Sequence, residues 1–202
     1  MKRALWLIVL CTGICAALFA QDAGKGSGET KTYKIGDIGP AGGIIFYDKG
    51  NYSGDKADDG AAHWRYLEAA PAETEFAAAE WGSYSVNISG TGPTIGSGKA
   101  NTQLIVERLR TLGESGCAAQ LCVKLTYKGY TDWFLPSKDE LDLMYKNLKQ
   151  KNLGKFGVKA SYWSSTQASS ECAWYQSFEN GKQYNYGNYK YNAFVVRAIR
   201  AF

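Results

Sequence analysis

The stretch "GPTIGSGKA" could do chemistry, because it approximates a phosphate-binding loop. Such a loop requires a glycine five positions before its Gly-Lys pair and a serine or threonine after that pair. Its backbone N–H groups hold the phosphates and the hydroxyl binds magnesium. Pro93 stands at the glycine position and Ala100 at the hydroxyl position. We therefore predict a loop that enters a helix, and no nucleotide site.

Hydrolytic and zinc chemistry lack the residues that they need. His63 is the only histidine, and no nucleophile-elbow sequence accompanies it. Zinc sites use paired ligands at short spacing, whereas Cys117, Cys122 and Cys172 are separated. We expect His63 to pack or to form hydrogen bonds. We expect no catalytic residue, no metal and no cofactor.

Calcium is the one cation for which the sequence offers candidate ligands. Asp55, Asp58 and Asp59 in "SGDKADDG" bring carboxylates close together, which suits a hard cation. Their spacing does not match an EF-hand loop, and stretches rich in Asp and Gly also form solvated turns. The solvated turn is the favoured interpretation, and a calcium titration followed by melting temperature tests it.

The strongest candidate for a binding surface is the C-terminal stretch "WYQSFENGKQYNYGNYKYN". Between Trp174 and Asn192 it holds five tyrosines and four asparagines. Tyrosine offers a large, rigid contact area, and Asn, Ser and Gly add adaptable hydrogen bonds, as in antibody paratopes. The alternative is a decorated hairpin whose tyrosines lie flat over a sheet, because tyrosine is also a common strand residue. We predict a ligand-binding face formed by Trp174, Tyr175, Gln176, Tyr184, Asn185, Tyr186, Asn188, Tyr189, Tyr191 and Asn192.

Other residues of the same region are predicted to be structural. Gly187 and Lys190 suit a core strand poorly, which argues that the stretch around them lies at the surface. Arg197 and Arg200 are expected to form ion pairs or hydrogen bonds within the fold. The large aromatic residues expected to pack inside are Trp133, Phe134, Trp163 and Phe194.

A lysine cluster competes with the tyrosine-rich stretch as a binding surface. Its members fall within fourteen residues that contain no acidic residue, and clustered ammonium groups attract sulfated glycans in a salt-dependent way. The simpler interpretation is that lysines after a helix complement its dipole and keep the surface soluble. That interpretation is favoured, and glycosaminoglycan binding is the alternative. The cluster comprises Lys146, Lys149, Lys151, Lys155 and Lys159.

The N-terminus has the form of a bacterial export signal. After "MKR" come seventeen largely apolar residues that end in the small residue Ala20, and a polar segment follows. The apolar run is short for a bilayer span of about 20 residues. We predict cleavage after Ala20, a flexible linker over 21–32 and one domain over 33–202. A lipid-anchored form would use Cys11 or Cys15, but Leu10 and Ile14 stand before them where a small residue is expected. Cleavage is therefore preferred, and lipidation stays open as the alternative.

Charge and cysteine content narrow the class of partner. Cleavage would take Lys2 and Arg3 from the 23 basic residues, leaving 21 against 19 acidic residues and a net charge of +2. Nucleic-acid binding favours strongly basic faces, so we expect a protein or glycan ligand at the cell surface. Three cysteines would remain, which permits at most one disulfide and is equally compatible with buried free thiols.

Three helices are predicted in the middle of the chain. "PSKDELDLMYKNLKQ" is the best marked, because Ser137 and Glu140 form a capping box ahead of an apolar stripe. "SGCAAQLCVKLTYKG" carries a shorter apolar stripe on one face. In "GKANTQLIVERLRTLG" the residues at helical spacing are Leu104, Ile105, Arg108, Leu109 and Leu112.

Strands are predicted on both sides of these helices. The run Ile44–Tyr47, the stretch "HWRYLEAAP", and later "SYWSSTQ", "CAWYQSF" and "AFVVRAIRAF" favour extended structure. Asn180-Gly181 marks a hairpin turn between two of them. Because strands and helices do not alternate, we predict an α+β fold with an antiparallel sheet and helices packed beside it.

Six stretches, in order, resemble a known bacterial domain. They are "IGDIGPAGGIIFYDKG", "WRYLEAAP", "IGSGKANTQLIV", "LTYKGYTDWFLPSKDELDLMYKNL", "YWSSTQ" and "FVVRAIRAF". Together they resemble the C-terminal domain of the Legionella collagen-like adhesin, a family abundant in treponemes, over nearly all of 33–202. "GYTDWFLPSKDEL" is the most specific of them.

The resemblance implies a C-type-lectin-like fold, in the variant shared with formylglycine-generating enzyme. It also implies kinship with the treponemal variable protein that a retroelement diversifies. In that system a C-terminal cassette is varied at Asn-encoding codons and displayed as a ligand-binding face. Glycosaminoglycan binding by the Legionella adhesin is what makes the lysine cluster an alternative site.

One departure from the enzyme of this fold bears on activity. Formylglycine-generating enzyme uses two cysteines five positions apart, and Cys117 and Cys122 have that separation. They lie, however, in "GCAAQLC", a predicted helix, whereas the enzyme's pair belongs to a Gly-Gly-Ser-containing stretch near its C-terminus. We therefore predict a non-enzymatic binding protein.

Overall fold

The computed structural model describes residues 31–50 and 63–202. The export signal and the candidate calcium ligands Asp55, Asp58 and Asp59 lie outside these residues. The described strands are β1 (Ile44–Asp48), β2 (Tyr66–Ala69), β3 (Phe76–Ala79), β4 (Ser161–Gln167), β5 (Ala173–Ser177), β6 (Gln183–Tyr184), β7 (Phe194–Val196) and β8 (Ile199–Ala201). The α-helices are α1 (Gly98–Thr111), α2 (Ala118–Lys124) and α3 (Lys138–Asn147), and short 3-10 helices cover Ala72–Thr74 and Lys149–Lys151.

The strands form two sheets in an α+β arrangement. One sheet has the order β1-β2-β8 and the other has the order β3-β7-β4-β5-β6. All strand pairs are antiparallel except β4 and β7, which run parallel with Tyr162 opposite Val195. The predicted antiparallel pairing is therefore confirmed at the other described strand pairs and is wrong at this one. After the β5–β6 hairpin the chain crosses back to the free side of β4, and this crossing gives β7 the direction of β4.

Strand β4 is the centre of the packing, because both of its faces are buried. Trp163 faces a core that includes Ile105 and Leu109 of α1, and its indole N–H donates to Ala79 O at 2.9 Å. Tyr162 faces a second core that includes Leu141 of α3. Strand alternation thus places α1 on one side of β4 and α3 on the other.

The helices follow the sequence prediction, with one correction to α1. Its buried face carries Ile105 and Leu109, whereas Leu104 and Leu112 are exposed. The small polar residues Asn101 and Thr102 are buried on this face instead of the two leucines. Asn101 donates to the Ser165 hydroxyl of β4, and the Thr102 hydroxyl bonds to the backbone of Leu135, which leucine could not do.

The predicted C-terminal strand divides into two at Arg197. The Arg197 guanidinium donates to Glu75 Oε1 at 2.6 and 2.9 Å and to Ala70 O at 3.0 Å, so the chain turns here and passes from one sheet to the other. Arg200 donates to both carboxylate oxygens of Asp132 at 2.9 Å. The structural role predicted for both arginines is confirmed.

Thiol state and membrane-spanning potential can be stated for the described residues. Cys117, Cys122 and Cys172 are buried free thiols. No helix in the described ranges is long and apolar enough to cross a bilayer. The predicted interior positions of Trp133, Phe134 and Trp163 are confirmed, and Phe194 is partly buried against Trp163 with ring centroids 4.6 Å apart.

Candidate ligand-binding surface

The β5–β6 hairpin carries the first half of the predicted binding face. Its turn is the predicted Asn-Gly turn, with Gly181 at φ +75°, where glycine is the favoured residue. Tyr175 lies opposite Tyr184 and their rings stack with centroids 5.3 Å apart. The hairpin therefore fixes the positions of Tyr175 and Tyr184 relative to each other.

Tyr175 and Gln176 do not belong to a solvent-facing site, which corrects the prediction for both. Tyr175 packs on Trp163 and Phe194, and its hydroxyl accepts from the Asn188 amide. Gln176 is fully buried and donates to Asp142 Oδ1 and Gly181 O, both at 3.0 Å. Both residues lie on a two-sided interior sheet, so their side chains support the hairpin and cannot contact a macromolecule.

Trp174 is partly exposed but belongs to a different neighbourhood. The Lys138 ammonium lies 5.0 Å from the centroid of its ring. Lys138 is the first residue of α3, and its carbonyl accepts from the Gln183 amide at 2.8 Å. Strand alternation turns Trp174 toward α3 and away from Tyr175, so the ten predicted residues do not form one surface.

Two of the predicted asparagines hold their own loop together. Asn192 Oδ1 accepts from the Tyr189 N–H at 3.1 Å, and the Asn192 amide donates to Asn188 Oδ1 at 3.1 Å. The Asn188 amide in turn donates to the Tyr175 hydroxyl. These amides shape the loop, whereas Asn185 and Tyr186 are exposed and Tyr184 is half-buried.

Lys190 is fully buried, contrary to the expectation that it suits an interior poorly. Its ammonium donates to Val86 O at 2.6 Å and to Gln167 Oε1 at 2.7 Å. Its own backbone pairs with Glu171 O and with the Trp81 N–H. The interior tolerates this lysine because its ammonium has two oxygen acceptors and an indole face beside it.

The burial of Lys190 forces its two neighbours outward. Tyr189 and Tyr191 are exposed by 37% and 52%, and their rings lie 5.3 Å apart. Tyr84, from the segment before α1, is 44% exposed. Its ring centroid lies 5.3 Å from that of Tyr189 and 5.7 Å from that of Tyr191. We call Tyr84, Tyr189 and Tyr191 the tyrosine cluster.

Sequence reasoning missed Tyr84, because it lies over a hundred residues away from the other two. The one local signal is "WGSYSVN", in which a tyrosine sits among small and polar residues, as in the C-terminal stretch. The neighbouring Glu171 carboxylate raises the pKa of Tyr84, because it disfavours a negative charge on the tyrosine. The cluster therefore presents aromatic rings beside an acidic side chain.

Two lysines of the lysine cluster are engaged in contacts within the domain. Lys146 forms an ion pair with Asp142 at 2.6 Å. The Lys149 ammonium donates to Phe156 O and Gly157 O at 3.2 and 3.1 Å. Five lysines close in sequence thus leave only Lys151, Lys155 and Lys159 as exposed charges outside these contacts.

Comparison with known proteins decides the family. The sequence pattern described as the Lcl C-terminal domain matches residues 97–200, just over half of the chain. The chain belongs to the Lcl C-terminal domain family. Among curated proteins, none matches the chain.

A solved structure shares the fold of this Lcl C-terminal domain protein. It is a fimbrial protein from Bacteroides ovatus ATCC 8483, with a TM-score of 0.55 and 14% sequence identity. The match covers 79% of this chain and 44% of the fimbrial protein, so the chain spans less than half the length of that relative. At this identity the similarity concerns the fold alone.

The segments that lead into α1 and α3 meet at Glu140. This buried carboxylate accepts from the Ser137 N–H at 2.7 Å, completing the capping box of α3, and from the Gly96 N–H at 2.8 Å, just before α1. Burial raises the pKa of Glu140, although these N–H donors oppose the shift. The stretch "GYTDWFLPSKDEL" therefore ends at a structural junction between two helices.

Proposed function

We propose that this protein is an exported, non-enzymatic, adhesin-like domain that binds a protein or glycan ligand through its tyrosine cluster. The observation that carries the proposal is the burial of Lys190 between two exposed tyrosines. The charged side chain anchors the loop inside, so Tyr189 and Tyr191 are displayed on a fixed backbone. Tyr186, exposed by 71%, and Asn185 extend the surface.

The chemistry of the cluster supports a binding role. Three tyrosine rings in mutual contact form a contiguous aromatic surface with little side-chain entropy to lose on binding. Exposed aromatic clusters rimmed by polar residues are typical of interaction sites. The Lcl family membership and the fimbrial fold relative are consistent with a role at the cell surface.

The experiment is an array of mammalian glycans and extracellular-matrix proteins probed with wild type and variants. We expect Tyr189→Ala/Tyr191→Ala to lose captured signal at least tenfold, with the melting temperature shifted by less than about 3 °C. The matched control is Leu104→Ala/Leu112→Ala, two side chains of similar exposure, one on α1 and one directly after it. A silent wild type, or equal loss in the control, would contradict the proposal.

Glycosaminoglycan binding through the lysine cluster is less favoured by the contacts. An ion pair holds Lys146 and backbone carbonyls hold Lys149, so these ammonium groups are already engaged. If heparin nevertheless retains the protein, and a Gln variant of the five lysines abolishes that retention, the site moves to this second surface.

The finer parts of the proposal concern fold lineage, diversification and the absence of catalysis. We place the domain among C-type-lectin-like folds on the family resemblance, and a crystal structure superposed on that class tests this. Diversification requires a template repeat and a reverse transcriptase gene beside the coding sequence.

Burial raises the pKa of Cys117 to about 12, and also that of Cys122, which supports inert thiols. An assay for formylglycine formation on a Cys-containing peptide tests the enzymatic alternative.

A further inference from the structure

We infer that a second surface of this protein docks on an anionic lipid membrane. We call it the basic face: Lys151, Lys155 and Lys159, the apolar residue Val158 between the last two, and Ile35. The proposal is independent of the tyrosine cluster and of its ligand.

The loop that carries the lysines of the basic face is held by side chains of the domain that bond to its backbone carbonyls. The Lys149 ammonium bonds to Phe156 O and Gly157 O, and Arg197 donates to Gly154 O at 3.1 Å. The Phe156 ring is buried with Tyr162 and Phe178. The loop is therefore braced at three of its carbonyls and at one aromatic ring.

The tip of this braced loop is apolar, although nothing within the described residues buries it. Val158 is 75% exposed, the largest exposure among the large hydrophobic residues of the described chain. It stands between the exposed residues Lys155 and Lys159. An apolar residue held outward among lysines matches an interface that combines hydrocarbon with anionic headgroups.

Backbone conformation supports the same interpretation. Lys155 has φ +51°, in the left-handed region where glycine is the favoured residue. A lysine at such a position keeps a positive charge at the loop surface at a conformational cost. Strain of this kind in an exposed loop is a reason to look for function there.

The segment that enters the domain adds apolar surface to the basic face. A Cβ added to Gly36 would lie 3.2 Å from Leu153 Cδ1, so this segment runs beside the loop. Ile35 and Ile38 are exposed by 41% and 60%. Asp37 and Glu73 are acidic neighbours of this surface: Asp37 accepts from the Lys34 N–H, and Glu73 accepts from the Tyr127 hydroxyl. Hydrogen bonds from its own backbone and from Tyr127, together with the charge of Lys155, lower the pKa of Glu73, so this carboxylate offsets part of the positive charge of the basic face.

A lipid surface fits these features better than a sulfated glycan does. A linear polyanion requires lysines that track along it, and it makes no use of an apolar tip. Near an anionic bilayer each lysine contributes about fivefold in binding, and a partly inserted valine adds a factor of about the same size.

The test is co-sedimentation of the full chain with two kinds of vesicle, one of phosphatidylcholine and one of phosphatidylcholine mixed with phosphatidylglycerol. The measured quantity is the increase in binding caused by phosphatidylglycerol. Every variant carries the same residues 1–31, so differences between variants report the basic face. We expect Lys151→Gln/Lys155→Gln/Lys159→Gln to reduce this increase about 100-fold, and Val158→Ser to reduce binding at least threefold.

The matched control removes three exposed lysines elsewhere: Lys99→Gln/Lys124→Gln/Lys182→Gln. It lowers the net charge equally and should stay within about threefold of wild type. Equal losses in both triple variants, or no response of wild type to phosphatidylglycerol, would overturn the inference. Retention on heparin that depends on the basic face, without vesicle binding, would also overturn it, in favour of a soluble polyanion.

Discussion

Lys190 and Trp81 are joined twice, once through the backbone and once through their side chains. The Trp81 N–H donates to Lys190 O at 2.7 Å, and the Lys190 ammonium lies 4.8 Å from the centroid of the Trp81 ring. Trp81 is itself fixed, because its indole N–H donates to Ser164 O of β4 at 2.8 Å. The central strand, the segment that carries Tyr84 and the C-terminal loop are therefore coupled at one buried lysine.

This coupling predicts an unusual dependence of stability on pH. Burial lowers the pKa of Lys190 to about 8, below its ordinary value of 10.5. Between these values the unfolded chain binds one proton more than the folded chain, so this group stabilises the fold increasingly as pH rises. Relative to Lys190→Met, the wild-type free energy of unfolding should increase by about 1–2 kcal/mol between pH 7.5 and 9.5.

Urea unfolding of both proteins across that pH range measures the difference. Subtracting the Lys190→Met curve removes the titration of tyrosines and cysteines common to both chains. A flat difference would show that the ammonium is as well solvated in the fold as in the unfolded chain, and a difference that falls with pH would show that the fold favours its charged form. Either result would contradict the prediction.

Local signals were enough to predict several elements of the fold. Ser137 and Glu140 form the expected capping box, and Asn180-Gly181 forms the expected turn. Strand β4 has the predicted bounds, Ser161–Gln167. Each of these depends on residues a few positions apart, whose backbone hydrogen bonds and side-chain alternation are set locally.

Features set by distant partners could not be predicted in this way. Lys190 can be buried because Val86 O, 104 residues away in the chain, accepts a hydrogen bond from its ammonium. Leu104 is exposed because α1 uses Asn101 and Thr102 against the sheet. A pattern of apolar residues indicates a helix, but which face it buries depends on what packs against it. Binding residues chosen by type alone therefore included the buried Tyr175 and missed Tyr84.

The close approach at the start of α1 predicts a strong effect of a single methyl group. A Cβ on Gly98 would lie 2.2 Å from Glu140 Oε2, 2.9 Å from Ser137 N and 3.0 Å from Leu135 O. Gly98→Ala should therefore cost about 1–3 kcal/mol, although alanine is the better helix former.

The matched variant is Gly92→Ala, whose Cβ would meet Ser97 at an ordinary 3.5 Å. It should stay within about 0.5 kcal/mol of wild type in urea unfolding. Equal stability of Gly98→Ala and Gly92→Ala would refute the junction described at Glu140.

The buried thiols are predicted to resist alkylation in the native protein. Burial, with a smaller effect of the Glu114 carboxylate, raises the pKa of Cys117 to about 12, and burial alone raises that of Cys122. The thiolate reacts and the thiol does not, so iodoacetamide at pH 8 should modify Cys117 at least about 1000-fold more slowly than in urea. Peptide mass spectrometry separates these sites from Cys11 and Cys15, and rapid native labelling of Cys117 would contradict the buried site.

The last prediction separates residues that support the loop from residues that meet the ligand. Tyr175 packs against Trp163, Tyr184 and Phe194, so Tyr175→Ala should destabilise the domain by about 3–5 kcal/mol. Tyr186, which is mostly exposed, should tolerate alanine within about 0.5 kcal/mol. Thermal and urea unfolding measure both effects. If Tyr186→Ala proved the more destabilising, the loop would be packed in the reverse sense, with Tyr186 inside and Tyr175 outside, and the displayed cluster would lose its support.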